Sequence, residues 1–385
     1  MVQVLRSSSW VAWAALAMLL SPPVQAEQLR FATGYPPGAA PVKHAESMAD
    51  IVAKASGGEL TVRVFTNALL SFAEMSAGVR DGITDVGYVV TPYFPSEYPR
   101  TNLLNDVSMQ LALLGDAPKG REGVAYGGAL MEYVFFNCPE CQKEYFNQDQ
   151  VFTGVSPTAS YQLLCNRPVV SAADMNGLRL RAGAGQWSRW AQAMGATPIQ
   201  ISGQESLEGM KQGLIDCTVL SVVSGLSDFR LIDAATHITS TVPGGVFAAT
   251  PATNINASVW RAMSEEKRRA FLAGAVYMAA AVPFFEHQRE REVLGEAKAQ
   301  GIVILEADAD LQDLTRTFIE QDATTVAQHY ATQFGVQDAE AMIAGFQPVL
   351  ARWVELVKDV GTVEDLVTIY EREIYSKIDV STYGM

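Results

Sequence analysis

Residues 178–217 read LRLRAGAGQWSRWAQAMGATPIQISGQESLEGMKQGLIDC, and this stretch indicates the fold more clearly than any other part of the chain. Apolar and basic residues alternate at 178–181, which predicts a half-buried strand followed by a glycine-rich turn. An amphipathic helix, a strand at 197–201, a second helix and a strand at 214–220 follow. The stretch therefore predicts a βαβαβ unit.

Arg181 lies at the carboxyl end of the first strand of this unit. Open α/β sheets bind their ligands at the carboxyl ends of their strands. A guanidinium group can fork onto both oxygens of a carboxylate, which a lysine ammonium cannot do. The position and type of this residue predict a carboxylate site. A structural salt bridge is the alternative role.

The first part of the chain repeats the same pattern of elements. Strands are expected at 29–33, 60–66 and 85–90, with a helix opened by Pro41 and a second helix at 72–81 between them. This order is typical of a parallel sheet. The chain of 385 residues is also long for a single core. We therefore expect an α/β fold of two domains with a ligand cleft between them.

Charge and hydropathy narrow the class of partner. The chain carries 28 basic and 42 acidic residues, a formal net charge of −14, which opposes nucleic-acid binding. It does not oppose an anionic small molecule, because one local arginine outweighs a diffuse, screened surface charge. Beyond the N-terminus no segment reaches 18 apolar residues free of charge, so we expect a soluble protein that is not embedded in a membrane.

Residues 1–26 have the pattern of a secretory signal peptide. Arg6 precedes an apolar run at 10–20 that is too short to span a bilayer, and Val-Gln-Ala at 24–26 is a small-x-small cleavage motif. The mature chain is expected to begin at Glu27 and to leave the cytoplasm.

The four cysteines would then lie in an oxidising compartment, where disulfides persist. Cys138 and Cys141 are three residues apart in a polar loop, which favours a local structural disulfide over the redox motif of a thioredoxin-like unit. Cys165 and Cys217 fall in predicted strands. A zinc site at Cys138 and Cys141 would need two further ligands.

The sequence lacks the motifs of common enzyme classes. Its four histidines have no zinc-protease spacing, and it has no G-x-S-x-G elbow, no Walker-type phosphate loop and no calcium loop. We therefore expect no catalysis, no cofactor and no metal. A secreted hydrolase is the alternative from the enzyme class.

Several short motifs, in this order and spacing, resemble the secreted solute-binding subunits of TRAP (tripartite ATP-independent periplasmic) transporters of the dicarboxylate-binding type. They are VRDGITDVG at 79–87, DMNGLRLR at 174–181, WSRW at 187–190, MGATP at 194–198 and MKQGLIDC at 210–217. The similarity runs along nearly all of the mature chain.

The resemblance implies a two-domain periplasmic binding protein fold of type II-like topology, with mixed sheets and a long hinge-spanning helix. Domain I would comprise 27–157 and 253–300, and domain II 158–252 and 301–385. The protein would be a periplasmic monomer that captures a small organic acid and delivers it to the TRAP membrane permease subunits without catalysing a reaction. A binding subunit that feeds a sensor instead of a permease is the alternative.

The family's carboxylate clamp falls on Arg181. Further substrate-binding candidates near the cleft, for each of which packing is the alternative, are Tyr35, Pro92, Tyr93, Tyr161, Trp187, Leu220, Ser221 and Phe247. Two departures matter: Tyr161 replaces a second arginine of the sialic-acid-binding members, and Leu220 falls on or near a polar ligand contact. Both favour a monocarboxylate with an apolar or aromatic body. Arg189 is expected at the surface.

The topology implied by the resemblance also places the strand that contains Cys165 beside the strand that contains Cys217. A disulfide between these two cysteines is therefore expected. Two buried free thiols are the alternative.

Overall fold

The computed structural model describes residues 26–385, so the predicted signal peptide lies, apart from Ala26, outside the described residues. In chain order the strands are β1 (Glu27–Ala32), β2 (Leu60–Phe65), β3 (Val86–Gly87), β4 (Gln150–Val151), β5 (Ser160–Cys165), β6 (Arg179–Arg181), β7 (Thr197–Ile199), β8 (Cys217–Leu220), β9 (His237–Val246), β10 (Asn254–Asn256) and β11 (Val303–Glu306). The α-helices are α1 (Ala40–Ala55), α2 (Met75–Arg80), α3 (Pro99–Asp106), α4 (Glu122–Glu132), α5 (Pro139–Phe146), α6 (Ala172–Met175), α7 (Gly185–Ala193), α8 (Ser206–Lys211), α9 (Ala257–Ala262), α10 (Glu265–Ala299), α11 (Ala309–Gln333), α12 (Ala339–Leu356) and α13 (Val363–Glu373).

The first sheet has the strand order β2-β1-β3-β10-β4. β1 pairs in parallel with β2 and β3, as the β-α-β-α-β pattern predicts, whereas β10 is antiparallel to both of its neighbours. The predicted strand at 85–90 is shorter than expected. The amides of Val89 and Thr91 leave the ladder and donate to the carbonyls of Pro251 and Ala249 in an incoming loop.

The second sheet has the strand order β11-β9-β5-β8-β6-β7. β6 is parallel to β7 and β8, so the predicted βαβαβ unit of 178–217 is confirmed. β5 is antiparallel to β8 and β9, which makes the sheet mixed. The last strand of the unit begins at Cys217 and not at Leu214, because the amides of Leu214 and Ile215 both donate to the carbonyl of Gly209 and close the end of α8.

The long helix α10 connects the two sheets. The side chain of Ser264 accepts a hydrogen bond from the amide of Lys267 and caps its start, as predicted. The helix packs against α1 beside the first sheet and against a π-helical turn (Val223–Asp228) beside the second. Gly274 permits the close approach to α1, because a Cβ there would lie 2.5 Å from a methyl group of Val52. The predicted long helix that spans both halves is therefore present.

Within residues 26–385, α10 is also the one helix long and apolar enough to cross a membrane by length and composition. Its apolar window is 78% buried inside the protein, so these residues form the interior of the fold.

The C-terminal helices pack differently from the predicted domain division. α12 lies against α3 and α4, and α13 lies against α4 and α10, all of which belong to the first half or to the connecting helix. The indole Nε1 of Trp353 donates to Glu132 at 2.7 Å, and the hydroxyl of Tyr383 donates to the carbonyl of Phe152 at 2.8 Å. The end of the chain thus contacts elements of the first half, while α12 also packs on α11, which lies in the range 301–385 that the predicted boundaries place in the second domain. The pattern of apolar residues on these helices does not specify which neighbour covers them.

Both expected disulfides are present. Cys165 and Cys217 lie directly opposite each other on antiparallel β5 and β8, with their Cα atoms 4.1 Å apart. Cys138 and Cys141 form the second disulfide at the start of α5. All four cysteines are therefore paired.

Candidate functional site

Arg181 ends β6 and points into the interior, where it is 1% exposed. Its Nε donates to the carbonyl of Ile201 at 3.0 Å, and Nη2 donates to the hydroxyl of Tyr93 at 3.0 Å. Nη1 is buried and has no hydrogen-bond partner among residues 26–385. A buried donor of this kind is costly unless a ligand or water satisfies it.

Tyr93 connects this arginine to the first sheet. It belongs to a 3₁₀ turn (Thr91–Tyr93) that follows β3, and its hydroxyl accepts hydrogen bonds from Arg181 and from the amide of Gly203 at 2.9 Å. Because the hydroxyl accepts both bonds, its own hydrogen remains available as a donor. Arg181 and Tyr93 together offer two unused donors.

These two residues line a small cavity between the sheets. The cavity measures about 30 Å³ for the centres of water-sized molecules, which is room for about one water. Its other lining residues are Tyr35, Phe72, Tyr88, Val90, Thr158, Tyr161, Gly203, Leu220, Ser224, Phe229, Phe247 and Thr250. None of the described lining residues is acidic, so Arg181 has no protein counter-ion within the cavity.

The structure brings together six of the nine predicted site residues. Arg181, Tyr35, Tyr93, Tyr161, Leu220 and Phe247 all line this cavity. Leu220 ends β8 and is 2% exposed, so the apolar character predicted from the sequence lies in the cavity wall.

The other three predicted residues lie outside the cavity lining. Trp187 is fully buried behind Tyr161, on which it stacks with ring centroids 4.2 Å apart. Pro92 lines a separate cleft of about 590 Å³. The hydroxyl of Ser221 turns away and donates to Glu286 at 3.3 Å. Neighbours in sequence therefore face different surroundings, because successive side chains leave a strand or turn in different directions.

Glu286 is a buried carboxyl next to the cavity-lining Ser224 that sequence reasoning missed. It lies near the middle of α10, is 4% exposed and accepts hydrogen bonds from the amide of Ala159 at 2.6 Å and from the hydroxyl of Ser224. Burial raises the pKa of its carboxyl to about 7, although the hydrogen bonds from Ser224 and Ala159 act in the opposite direction. A signal was available, since Glu286 is the first charged residue after the apolar run at 270–285.

Arg189 is not at the surface, contrary to expectation. Its guanidinium forms ion pairs with Asp106 of α3 at 2.9 Å and with Asp322 of α11 at 2.7 Å. The side chain is 17% exposed, and it lines the same cleft as Pro92. Arg189 therefore links the two halves. The sequence did not predict this role, because Asp106, Arg189 and Asp322 are far apart in the chain.

Within the part of the chain that the structure describes, no group of three or more histidine, cysteine, aspartate or glutamate side chains is placed to hold a metal ion. The side chains of the cavity offer a cation with an unused donor, a free hydroxyl hydrogen and aromatic walls.

Residues 159–333 match the model of the DctP family, which is described as bacterial extracellular solute-binding protein, family 7. The matched part includes all six strands of the second sheet and the carboxylate candidate Arg181. The resemblance inferred from the sequence is thereby confirmed, and the matched family consists of solute-binding proteins and not of enzymes.

Solved structures show the same fold. An extracytoplasmic solute receptor of Bordetella pertussis that binds pyroglutamic acid aligns over 84% of this chain and 100% of its own, with 19% identity and a TM-score of 0.67. A TRAP solute-binding protein from a marine metagenome, specific for aromatic acid ligands, aligns over 85% and 99%, with 20% identity and a TM-score of 0.72. A TRAP periplasmic solute-binding protein of Bordetella bronchiseptica with bound (R)- and (S)-mandelate aligns over 84% and 99%, with 19% identity and a TM-score of 0.68. The predicted α/β periplasmic binding protein fold is confirmed.

Proposed function

We infer that this chain is a DctP-family protein, the extracytoplasmic solute-binding subunit of a TRAP transporter. It captures a small organic acid in the cavity between its two sheets and delivers it to the membrane permease subunits. The observation that carries this function is the buried Nη1 of Arg181, which has no partner in the described chain and lies beside the free hydroxyl hydrogen of Tyr93.

A carboxylate complements these two donors. One oxygen would accept from Arg181 and the other from Tyr93, and the negative charge would balance a cation that faces no acidic lining residue. The structural alternative, a salt bridge, is not supported, because Arg181 pairs with no acidic residue among the described ion pairs. In a low-dielectric cavity this attraction is stronger than at the protein surface.

The walls favour an acid with a flat apolar body. Tyr161 and Phe247 present stacked rings 6.0 Å apart, and Leu220 contributes a branched apolar side chain. No second arginine is among the described residues that line the cavity, which supports a monocarboxylate over a dicarboxylate. The aromatic acids and mandelate bound by two proteins of the same fold support the same ligand class.

Binding requires that the two halves separate. The small free volume of the cavity supports a described form that is closed, and we propose that it opens about α10, which connects the two halves. We propose domain I at 27–157 and 253–300 and domain II at 158–252 with the start of 301–385, and we move α12 and α13 to domain I because they pack on α4. The ligand stabilises the closed form by its higher affinity for it.

The remaining parts of the proposal follow from the family. The protein acts in the periplasm as a monomer after removal of residues 1–26, needs no cofactor and catalyses no reaction. A subunit that passes the same acid to a sensor would use the same cavity. Copurification with the permease subunits distinguishes these two partners.

A thermal-shift screen against benzoate, 3-hydroxybenzoate, mandelate, pyroglutamate and succinate tests the function. We expect an aromatic or cyclic monocarboxylate to raise the melting temperature of the wild-type protein. Arg181→Ala should abolish this shift and leave the ligand-free melting temperature nearly unchanged. Arg181→Lys should retain little of the shift, because an ammonium group cannot bind both carboxylate oxygens as a guanidinium group does.

Arg179→Ala is the matched control. Arg179 lies two residues away on the same strand, is 46% exposed and pairs with Asp216 at the surface, so its loss should leave the ligand shift intact. An Arg181→Ala protein that binds the same acid as tightly as the wild type would refute the proposed site.

A further inference from the structure

Asp228 of the second half contacts the first helix of the first half. Its Oδ1 accepts a hydrogen bond from the backbone amide of Ala40 at 3.0 Å, across a sequence separation of 188 residues. Asp228 is 4% exposed, and its Oδ2 has no partner among the described residues. Asp228 is not among the described residues that line the cavity.

The amide of Ala40 is the first of α1, and α1 lacks a cap of its own. Its N-cap residue is Ala39, which has no side chain that could accept a hydrogen bond. The N-terminus of a helix carries orphan amides and a partial positive charge, and a carboxylate is a good partner for both. Asp228 therefore performs for α1 the capping role that a neighbouring serine or aspartate usually performs.

The surroundings of Asp228 act on the pKa of its carboxyl in opposite directions, and burial has the largest effect. Burial raises the pKa of Asp228 to about 6, while the amide of Ala40 and the positive charges of Arg289 and Lys43 lower it. Arg289 lies on the connecting helix α10 and Lys43 on α1. At pH 8 the carboxylate is charged.

Two more contacts cross between the halves at the same place. The ring of Tyr35, which follows β1, stacks on the ring of Phe229 with centroids 5.5 Å apart and planes 11° apart. The side-chain amide of Gln204 donates to the carbonyl of Gly34. Three contacts thus join residues 34–40 to residues 204–229, and all of them would break if the halves separated.

We propose that Asp228 is a positioning residue that holds the closed form shut by capping α1 from the opposite domain. This inference rests on the proposed function, because a cleft that opens and closes around a ligand is its premise. Opening replaces the bond between Asp228 and Ala40 by bonds to water, so loss of the cap weakens the closed form and leaves the open form unchanged. The bound acid then escapes faster.

The test compares Asp228→Ala, Asp228→Asn and the wild type at pH 8, with the acid from the thermal-shift panel that gives the largest shift. Stopped-flow tryptophan fluorescence measures association and dissociation. Since caps of this kind contribute modestly, we expect Asp228→Ala to raise Kd and koff about 3- to 30-fold with kon within about twofold. Asp228→Asn keeps an acceptor but loses the charge, so its effect should be intermediate.

Asp365→Ala is the matched control. Asp365 and Thr362 form a capping box within α13, and Asp365 makes its hydrogen bonds with residues 361 and 362 of the same segment. Its loss should lower the melting temperature and leave Kd and koff unchanged. An Asp228→Ala protein that behaves in this way, with a lower melting temperature and unaltered koff, would show that the contact is only structural and would overturn the proposal.

A measurement without ligand tests the contact between Asp228 and Ala40 independently of the proposed function. Spin labels on cysteines at two exposed positions, Glu46 of α1 and Lys211 of α8, report the distance between the halves. The native cysteines do not interfere, because all four are in disulfides. If no acid of the panel binds the wild type, the proposed function fails. In that case, a population with a short distance between the labels that is present in the wild type and lost in Asp228→Ala supports the capping role of Asp228. Identical distance distributions for the two proteins overturn it.

Discussion

The hydroxyl of Tyr93 accepts a hydrogen bond from Nη2 of Arg181 at 3.0 Å and joins the two sheets at the ligand cavity. The two residues are 88 positions apart in the chain. The same hydroxyl accepts from the amide of Gly203, so one oxygen orients a guanidinium and a loop at once. The pair gives the cavity a cationic end whose direction is set by residues of both halves.

Tyr93→Phe should weaken acid binding without removing the cation. The change leaves the donors of Arg181 and Gly203 without their acceptor and removes the free hydroxyl hydrogen that we assign to the ligand. Hydrogen bonds to charged groups contribute about 1.5–3 kcal/mol, so we expect a loss of about 10- to 100-fold in affinity by titration calorimetry. Tyr383→Phe is the control, since its hydroxyl bonds to Phe152 away from the cavity. Equal affinities for both variants would contradict the assigned role.

The disulfide between Cys165 and Cys217 should stabilise the protein more than the one between Cys138 and Cys141. The first closes a loop with a sequence separation of 52 and the second one of 3. By the chain-entropy relation the two contribute about 4 and about 2 kcal/mol respectively. Urea denaturation of the two paired Cys→Ala variants measures the difference. A larger loss of stability for the variant without Cys138 and Cys141 would contradict this ranking.

The buried carboxyl of Glu286 predicts a particular dependence of stability on pH. Its pKa is raised from 4.5 to about 7 in the folded protein, so between these values the folded state holds a proton that the unfolded state has released. The stability that the protonated carboxyl contributes is therefore present at low pH and is lost as pH rises from about 4.5 to about 7. Above about pH 7 this group no longer changes the free energy of unfolding with pH. Other carboxylates also titrate in this range, so the wild type must be compared with Glu286→Gln.

Glu286→Gln cannot ionise and keeps an acceptor for the amide of Ala159. Its stability relative to the wild type should increase between pH 5 and pH 7 and level off above pH 8. The full change is on the order of 3 kcal/mol. Chemical denaturation of both proteins at each pH measures it, and a stability difference that does not vary with pH would disprove the raised pKa.

The sequence was sufficient for those features that depend on local pattern. The alternation at 178–181 and the two helices that follow predicted the βαβαβ unit, because side chains repeat every two residues in a strand and every 3.6 in a helix. The same pattern placed Arg181 at a strand end, which is a ligand position in any open α/β sheet. The pairing of Cys165 with Cys217 also followed, once the family topology set their strands side by side.

Only the tertiary structure decided what the side chains near the cleft contact. Pro92 and Tyr93 are neighbours in sequence, yet one faces the outer cleft and the other the ligand cavity. Glu286, Arg189 and Asp228 acquire their roles from partners more than 60 residues away. Such contacts depend on how the two halves pack. Because hydrophobic packing is non-directional, the pattern of apolar residues along the sequence does not specify which distant polar groups the packing brings together.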